Sequence, residues 1–174
     1  MKSIKSLFVT ALAIVGIFAG IASAQSSLDR EVNHKIRSLM NYNTFDYITW
    51  QVNGSTVTLT GKTITLGTKR EAANSVKDID GVTSVVNNID ELPPSGFDDR
   101  IRAAALNEFT SHGPAQYFGW RNPDVHVVVD RGRITLEGYV SRQSDSNLLY
   151  ILANSIPGTF GVTNNLVVGE KPKM

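Results

Sequence analysis

A chain of 174 residues with 17 Lys+Arg against 16 Asp+Glu carries a formal charge of +1 and no cysteine. The absence of cysteine excludes disulfides, thiolate metal sites and a lipid-modified cysteine together. A charge so near neutral lacks the basic footprint of a general nucleic-acid binder. At the N-terminus, Lys2 and Lys5 precede an uncharged apolar stretch from Leu7 to Ile21, followed by Ala22-Ser23-Ala24. This pattern predicts a signal peptide over 1–24, cleaved after Ala24, and a periplasmic destination. The apolar run is shorter than the roughly 20 residues a membrane-spanning helix needs. Cleavage removes two lysines and leaves 15 Lys+Arg against 16 Asp+Glu, so attraction to an anionic surface has to come from a local feature.

After the leader the chain repeats itself. At an offset of 77 positions, Ile48–Ile89 falls on Val125–Leu166. Val57 and Leu59 meet Ile134 and Leu136, Gly61 meets Gly138, Gly81 meets Gly158, and Asn87-Asn88 meets Asn164-Asn165. Glycines and apolar residues in one register mean one small fold built twice.

Each copy opens with an amphipathic helix, marked by Leu28, Val32, Ile36 and Leu39, then by Phe97, Ile101, Ala105 and Phe109. Two strands follow. Ile48, Trp50 and Val52 alternate with polar residues before the turn Asn53-Gly54-Ser55. Val125, Val127 and Val129 do the same before Asp130-Arg131-Gly132. A second helix is expected over 68–79 and 145–156, ended by Gly81 or Gly158. A last strand carries Val85, Asn87 and Ile89, or Val162, Asn164, Leu166 and Val168. The fold class is therefore α+β: two copies of a helix-strand-strand-helix-strand sandwich, with two helices on one face of a three-stranded sheet. The copies span 28–92 and 97–169, joined by a short stiff linker at 93–96.

The run Val57-Thr58-Leu59-Thr60-Gly61, a helix, then Gly81-Val82-Thr83-Ser84-Val85-Val86-Asn87-Asn88-Ile89 resembles the BON domain. The second copy fits through Ile134–Val140, Gly158 and Val162–Leu166. It departs at Thr159 and Gly161, and the first copy departs at Thr63. The resemblance, to a family that includes an osmotically inducible periplasmic protein, implies a non-enzymatic envelope protein. Phospholipid association or a chaperone-like role in envelope stress is what it implies for function.

No catalytic or metal motif accompanies the repeat, and no cofactor is expected. His34, His112 and His126 have no ligand spacing. Asp98-Asp99 is accounted for by a helix start. The repeated glycines are accounted for by backbone geometry, and Asn87 and Asn164 by hydrogen bonds to backbone within each copy.

Two features of the second copy exceed what the fold requires. Its first helix and first strand are separated by eight more residues than in the first copy, in a loop containing Tyr117, Phe118, Trp120 and Arg121. Aromatic rings beside an arginine suit an interfacial anchor on anionic phospholipid; the alternative is that the rings cap the core. The other feature is an apolar back to the last helix, where Leu148 and Ile151 replace Glu71 and Asn74. The other copy is the expected cover, with a homo-oligomer or lipid as alternatives. The sequence thus points to association with a phospholipid surface or envelope proteins, the rival being a soluble chaperone or protein-interaction module.

Overall fold

The computed structural model describes residues 25, 27–119 and 123–169. The first module runs α1 (27–37), β1 (Tyr47–Asn53), β2 (Thr56–Thr63), α2 (Leu66–Lys77), β3 (Ser84–Glu91). The second runs α3 (Gly96–Ser111), a 3-10 turn (Ala115–Tyr117), β4 (Val125–Asp130), β5 (Arg133–Val140), α4 (Gln143–Ser155), β6 (Gly161–Asn164), β7 (Val167–Val168). Each module is the expected α+β unit.

In each module the hairpin is antiparallel and the helical crossover brings the last strand back parallel, so β2 or β5 lies at the centre. The registers coincide: Val57 faces Val85 as Ile134 faces Val162, and Lys62 faces Asp90 as Tyr139 faces Val167. The final strand of the second copy is broken at Asn165–Leu166, where Asn165 gives its side chain to Glu137 at 2.8 Å. It resumes as β7 without losing register. Asn87 and Asn164 both reach the second helix of their own module, at Lys69 O and at Ser146.

Period-2 strands and period-3.6 helices place one apolar face of each against the other. Two separate cores result. One centres on Val32, Ile36, Leu59, Val76 and Ile89. The other centres on Ile101, Phe109, Val127, Leu136 and Leu149. Val85 and Val162 are half-buried against their respective cores.

The modules dock through the loop between α1 and β1. Asn43 and Asp46 fold it on itself: Phe45 N donates to Asn43 Oδ1, and Asn43 N donates to Asp46 Oδ2. The loop presents Thr44 to the free edge of β4, where Val127 N donates to Thr44 O at 2.6 Å and Thr44 Oγ1 donates to Val125 O at 3.0 Å. Phe45 packs against the second core. Further along β4, Arg102 Nη2 donates to Val129 O. An edge strand that would otherwise invite foreign pairing is thereby covered. Lys62 and Asp130 pair at 2.6 Å across the joint. His126, on the open face of its sheet, is buried beside the rings of Tyr42 and Tyr47.

This mode of docking corrects one expectation. The back of α4 is not covered by the other module: Ile151 is 63% exposed and Leu148 37%. The docking surface is the sheets and the 43–46 loop, away from the back of α4.

Candidate functional site

The extended loop of the second module is largely structural where it is described. Tyr117 is only 6% exposed. Its hydroxyl donates to Asp145 Oδ2 at 2.7 Å and accepts from Ser141 N at 2.9 Å. Phe118 is half-buried and stacks on Phe109 at 5.3 Å. These two rings cap the core, because burying them and satisfying the hydroxyl costs less than holding them in water. The anchor expectation is corrected for Tyr117 and Phe118; Trp120 and Arg121 lie outside the described residues. Asp145 is held below the usual carboxylate range, first by the Tyr117 hydroxyl and then by Arg142.

Among the described residues, the most exposed aromatic lies elsewhere. Phe160, just before β6, is 68% exposed and stacks on Phe97 at 5.6 Å. Phe97 was expected to open the core stripe of α3; it sits instead at the rim, 38% exposed. Both rings lie over the β4–β5 turn. Gly132 takes φ +75°, and a Cβ there would fall 2.5 Å from the Phe160 ring. The turn is stapled to the helix start: Asp98, buried, accepts from Arg131 N at 3.0 Å and Gly132 N at 2.8 Å, while Ser95 Oγ caps α3 by accepting from Asp98 N. Phe160 is tied to the same turn by its N–H to Gly132 O at 2.7 Å.

Three arginines ring the pair. Arg100 lies 5.9 Å from the Phe97 ring centre, within cation–π range. Arg131 and Arg133, on the turn and the start of β5, are exposed. Asp99 is engaged by Arg102, and Asp130 chiefly by Lys62, whose hydrogen bond is the main cause of its lowered pKa, and more loosely by Arg131 at 3.8 Å. The tip therefore offers apolar rings inside a rim of positive charge.

The first module provides an internal control. The same backbone bond is present, Thr83 N to Ser55 O at 2.9 Å, and Leu28 sits against Gly81 as Phe97 sits against Gly158. There the positions of Phe160, Arg131, Arg133 and Arg100 hold Thr83, Gly54, Thr56 and Glu31. One scaffold carries a polar tip in one copy and an aromatic, basic tip in the other. The fold does not need those residues. A copy-against-copy reading of position 160 was the signal in the sequence that could have found them.

A BON domain model matches residues 29–93 and 98–170. The chain belongs to the BON domain family. BON domains bind phospholipids and occur in envelope-associated proteins. Among solved structures, the chain is similar to the C-terminal domain of CdsD, a structural protein of the type III secretion system of Chlamydia trachomatis. That match has 15% identity and a TM-score of 0.33, and covers 81% of this chain and 96% of that one. A second structure of CdsD matches with 15% identity and a TM-score of 0.31, covering 82% and 92%. Both superpose loosely and lend no function to this chain. No curated protein matches it. Among the described residues of the two BON modules, no group of three or more acidic or histidine side chains is placed to hold a metal, and no helix is long and apolar enough to cross a membrane.

Proposed function

We propose that this protein is an exported, non-enzymatic component of the bacterial envelope that associates with anionic phospholipid surfaces through the tip of its second BON module. The observation that carries this reading is the exposed Phe97–Phe160 stack framed by Arg100, Arg131 and Arg133, absent from the first module. Sinking a phenylalanine ring into the headgroup boundary contributes on the order of 1–3 kcal/mol. Each arginine near an anionic surface adds about 1 kcal/mol. A chain that is otherwise near neutral thus acquires weak, reversible and salt-sensitive binding. The rings sit on a turn locked by Asp98, so little order has to be gained on binding.

The test converts the tip to the residues its twin tolerates: Arg131→Gly, Arg133→Thr and Phe160→Thr. Co-sedimentation of the protein, lacking residues 1–24, with vesicles containing phosphatidylglycerol should fall at least about tenfold, the melting temperature being kept. Undiminished binding would remove the tip from the account and return the role to the Trp120–Arg121 segment. Absence of vesicle binding in the native protein would favour the rival reading, in which the exposed Leu148 and Ile151 of α4 receive a protein segment.

A further inference from the structure

The facing sheets of the two modules leave a groove between them. One hollow of about 340 Å³ lies between the α1–β1 side of the first module and β5 of the second. Another, of about 420 Å³, opens between the open faces of the sheets. Tyr47 and Thr49 line both, so the two hollows adjoin, and each falls in the size range of small-molecule sites, about 300–1,000 Å³.

The walls differ in character. The first hollow presents the half-buried rings of Tyr47, Trp50 and Tyr139. Trp50 is fixed by its Nε1–H to Asp29 Oδ1 at 2.8 Å, while Arg37 of the first module and Asp124 of the second bring opposite charges to the same hollow. The second hollow presents Thr60, Asn88, Asp90, Thr135 and Glu137. Its lysine, Lys62, is already held by Asp130. Hydroxyls and an amide both donate and accept, and carboxylates accept. The carboxylates Asp90 and Glu137 disfavour an anionic headgroup, so this surface differs in chemistry from the arginine-rimmed tip.

We propose that the groove between the BON modules binds a neutral carbohydrate chain. A pyranose ring has a flat C–H face that packs on aromatic rings and a rim of hydroxyls that need both donors and acceptors. The adjoining hollows offer the two surfaces in succession, rings first and hydrogen-bonding groups next. Neither module forms the site alone, so binding depends on the docking made by Thr44 and Phe45, and ligand reinforces that docking by linkage. The proposal stands on residues remote from the lipid-facing tip and holds or fails independently of it.

The experiment titrates the mature protein with two probes, a β-1,4-linked N-acetylglucosamine hexamer and a linear glucan hexamer, by calorimetry and amide chemical-shift mapping. At least one hexamer should bind saturably and shift the amides of Thr49, Asn88 and Thr135 but not those of α4. Tyr139→Ala should weaken that binding about tenfold, the scale of one lost stacking contact. Tyr47→Leu, which keeps an apolar side chain at the joint, should do the same if Tyr139→Ala proves unfolded. Shifts elsewhere, absence of saturation with both hexamers at millimolar concentration, or tighter binding of spermine than of either sugar would overturn the proposal. The last result would make the groove a cation site.

Discussion

Asp46 and Asp145 are both buried carboxylates, yet their surroundings push them in opposite directions. Asp46 accepts from Ile64 N at 2.8 Å and from Asn43 N, but burial dominates and raises its pKa from 3.8 to about 6. Its folded pKa lies above its unfolded one, so the folded state holds the proton more tightly. The associated stability is complete below the unfolded value and is lost as pH rises through about 6. A shift of this size corresponds to on the order of 3 kcal/mol. Urea denaturation from pH 4 to 7 should show stability declining with pH relative to Asp46→Asn, which has no charge to bury; parallel pH profiles would refute it. Asp145 has the reverse sign. Its depressed pKa means that its stability is present above the ordinary carboxylate range and lost on acidification through the folded value. Tyr117→Phe removes the hydroxyl that serves both Asp145 and Ser141 N. It should cost about 1–3 kcal/mol, read as a lower urea midpoint, without reducing vesicle binding.

At the scale of elements, the β4–β5 turn joins stability to function. Arg131 is the one described non-glycine residue with positive φ, at 50°, and Gly54 stands at its place in the first module. Arg131→Gly should therefore leave stability unchanged or raise it by up to about 1 kcal/mol, while weakening vesicle binding and its salt dependence. Gly132→Ala should do the opposite on the first count. Strain at φ +75° together with collision against the stacked rings should cost about 1–3 kcal/mol and displace Phe160. Denaturation midpoints for the two variants, measured beside co-sedimentation, separate strain from contact. A loss of stability in Arg131→Gly would show that the side chain supports the fold.

For the whole molecule, the decisive segment is Asn43-Thr44-Phe45-Asp46. Its internal hydrogen bonds present Thr44 to β4 and Phe45 to the second core. Thr44→Val keeps the volume but removes the hydroxyl bond, whereas Phe45→Ala withdraws a ring from the neighbouring core. The pair should loosen the joint without unfolding either core. Small-angle scattering should then report a larger radius of gyration and calorimetry two resolved transitions in place of a coupled one. Unchanged scattering would show that the Lys62–Asp130 pair and the tyrosine–histidine contacts are enough to hold the modules together.

Local pattern determined the parts. The offset repeat, the alternation in Ile48–Val52 and Val125–Val129, the helical spacing of Val32, Ile36, Ile101 and Phe109, and the repeated glycines specify two α+β units in one register. Each signal is a periodicity or a backbone requirement carried by neighbouring residues, and so is visible along a single strand of letters. Only the tertiary structure decided which rings are buried. Tyr117 became core because Asp145 and Ser141, far along the chain, satisfy its hydroxyl. Phe160 stayed exposed because its backbone is tied to Gly132 and its ring rests on Phe97 and the β4–β5 turn rather than in the core. Docking was hidden for the same reason: Thr44 and Phe45 form no periodic pattern, and their partners lie in the other module. Burial of an aromatic depends on which distant groups converge on it, and sequence spacing carries no measure of that distance.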